Sequence, residues 1–245
     1  MEKCAFLQKH DAVPETRVYT GHVSCPGFLE DSDWMISLLC PVTLVLPPLK
    51  DALLPEALRL TERLYERNQA FEVSVNDLGT LAALHERFPS LALNAGPLLF
   101  PQDTDPLIFD FRTPKEESRS VFYRGIPSRL RWAPPGEACL DHWREPSVFA
   151  EEDALKALGV TRLEICSQPC MPRNAPGLPV TVYDSAFVTV LPCRSCQACR
   201  DLSPIQRGGR TLIPDKNLLR YDCGILPSFA DRTVTSKTGG RPSVG

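Results

Sequence analysis

Short apolar runs and amphipathic stretches alternate along the first hundred residues. Val42-Thr43-Leu44-Val45-Leu46 is a continuous β-rich run stopped by Pro47-Pro48, which predicts a parallel strand covered on both faces. Before it, Arg17-Val18-Tyr19-Thr20 predicts a strand ending at Gly21, and Asp31, Ser32 and Asp33 offer cap oxygens to a short helix over Trp34–Leu39. From about Pro55 to Asn68, Ala57, Leu58, Leu60, Leu64 and Tyr65 gather near one helical face. Glu56, Arg59, Glu62, Arg63 and Glu66 lie mostly on the other. Phe71–Val75 predicts the next strand. Asn76 or Asp77 can cap a helix over Leu78–Phe88, and Leu91–Asn94 predicts a further strand. Residues 17–95 thus read β-α-β-α-β-α-β, the order of a parallel sheet with right-handed crossovers.

Prolines at 97, 101, 106, 114, 127, 134, 135 and 146 break this rhythm and predict loops with one or two short strands, Arg129–Trp132 the best candidate among them. Regularity returns with a helix over Phe149–Leu158 ended by Gly159, then strands over Thr161–Ile165, Leu178–Tyr183 and Phe187–Val190. No Gly-x-Gly-x-x-Gly follows the first strand and no Gly-x-x-x-x-Gly-Lys-Ser/Thr occurs, which removes the usual phosphate-loop arguments for an open sheet. The expectation is an α/β fold: an incomplete or distorted (β/α) TIM-like barrel with an irregular Pro-rich middle segment. It would occupy residues 17–233, after an N-terminal segment 1–16 and before a polar, Gly-rich tail 234–245.

Composition narrows the function. Forty-three per cent of residues are apolar, and a net charge of −3 with a pI near 5.9 lacks the basic footprint of a nucleic-acid binder. No apolar run approaches the roughly 20 residues needed to cross a bilayer. The N-terminus turns polar at Gln8-Lys9-His10-Asp11, too early for a secretory signal. A cytoplasmic protein is expected. There, ten cysteines point to metal binding rather than to a disulfide framework.

Cys193-Arg-Ser-Cys196-Gln-Ala-Cys199 carries most of the candidate chemistry. Three thiols at three-residue steps can face one metal or cluster, and thiolates select zinc, Cu(I) or iron–sulfur centres. Zinc sites usually use two separated Cys-x-x-Cys pairs, so an iron–sulfur cluster is the first reading, structural zinc the second and unliganded thiols the third. Cys25 is the preferred fourth ligand: it follows the first predicted strand as the triplet follows the last, and first and last strands are neighbours in a closed barrel. Cys166 or Cys170 could replace one ligand. Cys40, Cys139 and Cys223 read as buried packing thiols, and Cys4 as an exposed N-terminal one. Glu164 can face the barrel interior, to bind a polar ligand or to pair with an arginine. Asp77 reads as a helix cap, and His22 as a loop residue close to Cys25.

Several of these segments resemble the collagenase-like U-type peptidase family. They are Val42–Pro47, Phe71-Glu-Val-Ser-Val-Asn-Asp-Leu-Gly-Thr-Leu81, Arg87-Phe-Pro89, Gly96-Pro-Leu-Leu99 and Gly159-Val-Thr-Arg-Leu-Glu164. The resemblance spans about residues 17–220 and is strongest to the short ubiquinone-biosynthesis branch, the UbiU/UbiV type. Pro97 stands where the family has arginine, and the Glu-x-Phe-x-x-Gly-x-x-Cys signature of the peptidase-labelled members is missing. The resemblance implies a 4Fe–4S cluster on Cys25, Cys193, Cys196 and Cys199, although the late triplet is spaced more tightly than is usual in that branch. It further implies a part in oxygen-independent hydroxylation of a small aromatic substrate, and a homologous partner in a heterodimer. An RNA-hydroxylating member of the same family, which the acidic balance disfavours, and a non-catalytic zinc module are the alternatives.

Overall fold

The computed structural model describes residues 2–9, 11, 13, 16–68, 70–99, 107–109, 119–123, 126–132, 149, 151–167, 175–189, 204–207, 210–216, 218–222 and 229–235. Eight strands close into a parallel barrel. In chain order they are β1 (Glu2–Phe6), β2 (Val18–Gly21), β3 (Val42–Leu46), β4 (Glu72–Val75), β5 (Ala92–Ala95), β9 (Val160–Cys166), β10 (Val180–Tyr183) and β15 (Arg232–Thr235). The order around the ring follows the order in the chain, and β15 returns to β1 in parallel register, Cys4 opposite Val234. The expected TIM-like α/β barrel is therefore present, and it is closed rather than incomplete.

Two antiparallel sheets interrupt the sequence of barrel strands. One, made of β6 (Leu107–Phe109), β7 (Arg119–Tyr123) and β8 (Ile126–Trp132), falls in the Pro-rich middle between β5 and β9. The other, between β10 and β15, contains β11 (Ser185–Thr189), β12 (Ile205–Arg207), β13 (Arg210–Asp215) and β14 (Leu218–Asp222), in the spatial order β11-β14-β13-β12.

The pleat explains how β3 serves both sides of the ring. Val42, Leu44 and Leu46 belong to the large core outside the ring, whereas Val45 belongs to the inner cluster. Helix α1 (Leu54–Arg67) buries Ala57, Leu60, Thr61 and Leu64 in the outer core, while Tyr65 sits at its edge, partly exposed, against Phe88. Helix α2 (Leu78–Arg87) starts where Asp77 accepts hydrogen bonds from the Thr80 amide and hydroxyl, both at 2.7 Å, so the cap role of Asp77 holds. Helix α3 (Glu152–Ala157) ends before Gly159 at φ +78°, a left-handed residue whose Cβ would fall 2.5 Å from His85 Nδ1. The short helix expected at Trp34–Leu39 is a 3₁₀ turn over Asp33–Ser37. It follows another over Pro26–Asp31.

The first and last barrel strands are the two that the hydrophobic pattern missed. Residues 1–16 read as a leading segment and 234–245 as a tail, yet Glu2–Phe6 and Arg232–Thr235 complete the ring. The reason lies inside it. Arg232 Nε donates to Glu2 at 2.8 Å, and Arg232 Nη1 donates to Glu72 at 2.8 Å and to the Tyr19 hydroxyl at 3.2 Å. Strands that deliver a charge network to a barrel interior carry no alternation of apolar and polar residues to read.

Candidate functional site

The barrel axis is filled. Glu164, mid-strand on β9, is fully buried and accepts hydrogen bonds from Ser74 Oγ at 2.6 Å, Tyr183 Oη at 2.9 Å and Asn94 Nδ2 at 3.0 Å. Burial pushes its carboxyl above the ordinary carboxylate range, with the three donors acting the other way. Burial alone would also raise Glu72, but the Arg232 hydrogen bond and the charges of Arg17 and Arg232 outweigh it and hold that carboxyl low. Glu164 thus faces the barrel interior, where two hydroxyls and an amide hold its carboxyl. Two residues further along each strand the interior turns apolar. Phe6, Val45, Cys166 and Val234 pack with Val23, Tyr183 and Leu98 toward the strand C-termini. That plug closes the axis here, and a concavity opens to one side of it.

It lies beyond the ends of β1 and β2, as a cleft of about 470 Å³ whose lining includes Lys9, His22, Cys25, Trp34 and Lys216. The turn that delivers Cys25 is tightly built. Gly21 adopts φ +100°, and a Cβ there would run into the Val45 carbonyl oxygen, so no other residue fits. The His22 amide then donates to that same oxygen at 3.1 Å. The His22 ring folds back on its own loop: Nδ1 accepts from the backbone amides of Ser24 and Cys25, each at 3.1 Å. Two amides on Nδ1 place the ring proton on Nε2 and fix the tautomer. Cys25 therefore enters the cleft from a loop pinned at both ends, directly before the 3₁₀ turn that Pro26 opens.

The Asn76-Asp77 pair, the most distinctive part of the sequence resemblance, is a brace. Asn76 Nδ2 donates to the Leu46 carbonyl and Asn76 Oδ1 accepts from the Leu98 amide, both at 2.8 Å. Asp77 accepts from the Leu49 amide at 3.1 Å as well as capping α2. Together they tie the C-terminal ends of β3, β4 and β5. Gly96 is required beside them, since a Cβ there would sit 2.6 Å from Asn76 Oδ1.

The cysteines separate by environment. Cys25 lines the cleft. Cys166 ends β9 within the inner apolar cluster. Cys4, expected to be exposed, is buried in the same cluster, where burial and the charge of Glu2 push its thiol up to about 12. Cys40 is buried as expected, and burial raises its thiol too. Cys193, Cys196 and Cys199, with Cys139, Cys170 and Cys223, lie outside the described residues. Among the described residues no three or more His, Cys, Asp or Glu side chains are grouped to hold a metal ion.

The adjacency used to join Cys25 to the triplet differs in the ring. Cys25 follows the second barrel strand, and β1 and β15 stand between β2 and β10, the strand that leads into β11. A different connection replaces it. β11 pairs with β14, with Thr189 opposite Leu218, and β14 pairs with β13, with Asp215 opposite Leu218. Lys216, at the tip of that β13–β14 hairpin, lines the Cys25 cleft. The strand end from which the chain runs on to Cys193 is thus paired beside the hairpin tip that reaches Cys25.

Sequence reasoning passed over Lys9, Thr20, Lys216 and Arg232. Asp215-Lys216-Asn217 is a turn-forming run that would have marked the hairpin. Nothing in the local sequence announces the other three.

These features define a parallel eight-stranded α/β barrel with an off-axis cleft holding a thiol, an imidazole, two lysines and an aromatic wall. Compared with protein-family models, with curated proteins and with solved structures, the chain finds no match in any of the three.

Proposed function

We propose that this chain is an iron–sulfur protein of an oxygen-independent hydroxylation system acting on a small aromatic acceptor, as a hydroxylase or as one subunit of it beside a homologous partner. Cys25, Cys193, Cys196 and Cys199 are the thiolates that would hold a 4Fe–4S cluster, which when bound supplies one-electron chemistry. The observation that carries this reading is the meeting of the β13–β14 hairpin with the Cys25 cleft. Cys193 follows Thr189 by four residues, a reach of at most about 14 Å for an extended chain. Thr189 pairs with Leu218, two residues from Lys216. The donor set also fits the group, being four soft sulfurs with Cys25 already delivered to an open cleft by a rigid loop. The chain's own contribution is positional: His22 and Gly21 fix the Cys25 loop, and the apolar plug keeps the polar barrel axis apart from the cleft.

Iron and acid-labile sulfide analysis of anaerobically purified protein tests the reading. Near-stoichiometric iron and sulfide, with broad absorbance near 400 nm that Cys25→Ser and Cys196→Ser each lose, is the expected result. A colourless protein holding one zinc refutes it and favours a structural zinc staple.

A further inference from the structure

We propose that the cleft beside Cys25 is a binding site for a small aromatic carboxylate, its ring held by Phe28, Trp34 and Met35 and its anionic group by Lys216 and Lys9. This names the ligand class for the acceptor groove of the preceding reading and rests on that cleft, but not on the cluster. The cleft's volume of about 470 Å³ lies within the span of small-molecule sites, which run roughly from 300 to 1,000 Å³. Its floor is apolar and aromatic, and its polar groups are few. Among the described lining residues two lysines face one carboxylate, that of Asp31, an excess of cationic side chains that matches an anion better than a cation.

Two further observations point to an occupant. Thr20 lines the cleft, and its Oγ1 is buried with no hydrogen-bond partner among the described residues, an unmet polar group at the wall of the site. Lys216 stands at φ +56° in a hairpin turn, where glycine, asparagine or aspartate is the unstrained choice. A bulky cation kept in a left-handed position and turned onto a cleft is strain of the kind that collects at ligand sites. Lys9 is held by Asp31 in an exposed pair. Such a pair is weak, so a ligand carboxylate can compete for the ammonium.

Calorimetric titration of the full-length protein at low salt, with benzoate, benzyl alcohol and inorganic phosphate as probes, tests the assignment. Benzoate should bind, benzyl alcohol and phosphate should bind at least tenfold more weakly, and added salt should weaken benzoate. Lys216→Gly removes the charge while relieving the turn, so it should leave the thermal midpoint unchanged or higher and lower benzoate affinity about tenfold. Equal binding of benzoate and benzyl alcohol, equal binding of phosphate, or an unchanged affinity in Lys216→Gly overturns the proposal. Cys25→Ser separates it from the cluster reading. Benzoate binding retained by an iron-free variant supports this site alone, and iron-loaded protein that ignores benzoate sinks this site alone.

Discussion

Gly21 shows how little room a functional turn can leave. Its left-handed φ and the Val45 carbonyl over its α-carbon act together, so Gly21→Ala should cost at least about 2 kcal/mol in urea unfolding. His22 acts one residue on, through geometry rather than charge. Asparagine can still accept the Ser24 and Cys25 amides with its side-chain oxygen, and alanine cannot. His22→Asn should therefore keep Cys25 alkylation kinetics near the parent's, whereas His22→Ala frees the loop and changes them severalfold. Parental kinetics in both variants would remove the positioning role. Cys4 is the opposite kind of thiol. With its proton held up to about 12 and its side chain in the inner cluster, it should resist Ellman's reagent at pH 8 until the protein unfolds.

Among the elements, those with a face packed into the outer apolar core were the legible ones. β3 was bounded correctly from sequence, and α1 and α2 to within a residue, because a parallel strand or a covered helix writes its burial into its composition. Asp77 was legible for a related reason: its capping chemistry is local. Replacing it with alanine removes the α2 cap and strands the Leu49 amide, so Asp77→Ala should destabilise by about 1–2 kcal/mol, read as a shift of the urea midpoint at constant slope. What stayed hidden depends on partners far away in the chain. Arg232 answers Glu2 across 230 residues and Glu72 across 160, and no window of sequence holds both ends of such a contact. The cleft was half legible. Cys25 was singled out for its thiol, but Lys216 reaches it from almost two hundred residues away through two strand pairings.

At the scale of the molecule, the buried carboxyls of the barrel pull stability in opposite directions with pH. Glu164 titrates higher folded than unfolded, so between about 4.3 and its folded value the native state holds the extra proton. Its contribution is complete below that window and is lost as pH rises through it. Glu72 titrates lower folded than unfolded, so its contribution is complete above about 4.3 and is lost as pH falls toward its folded value. Glu164→Gln should consequently gain on the parent as pH rises, since the amide has no charge to bury. Thermal midpoints of both proteins from pH 4 to 8 decide this, and parallel curves refute it.

The pairing of β1 with β15 sets when the fold can finish. A nascent chain exposes Glu2–Phe6 long before Arg232–Thr235 leave the ribosome, so the first stave must wait beside β2 until every strand between them has been made. Contacts this distant in sequence form slowly. Until then Glu2 and Glu72 lack Arg232, and the half-built hoop presents two raw edges to whatever chaperone meets it.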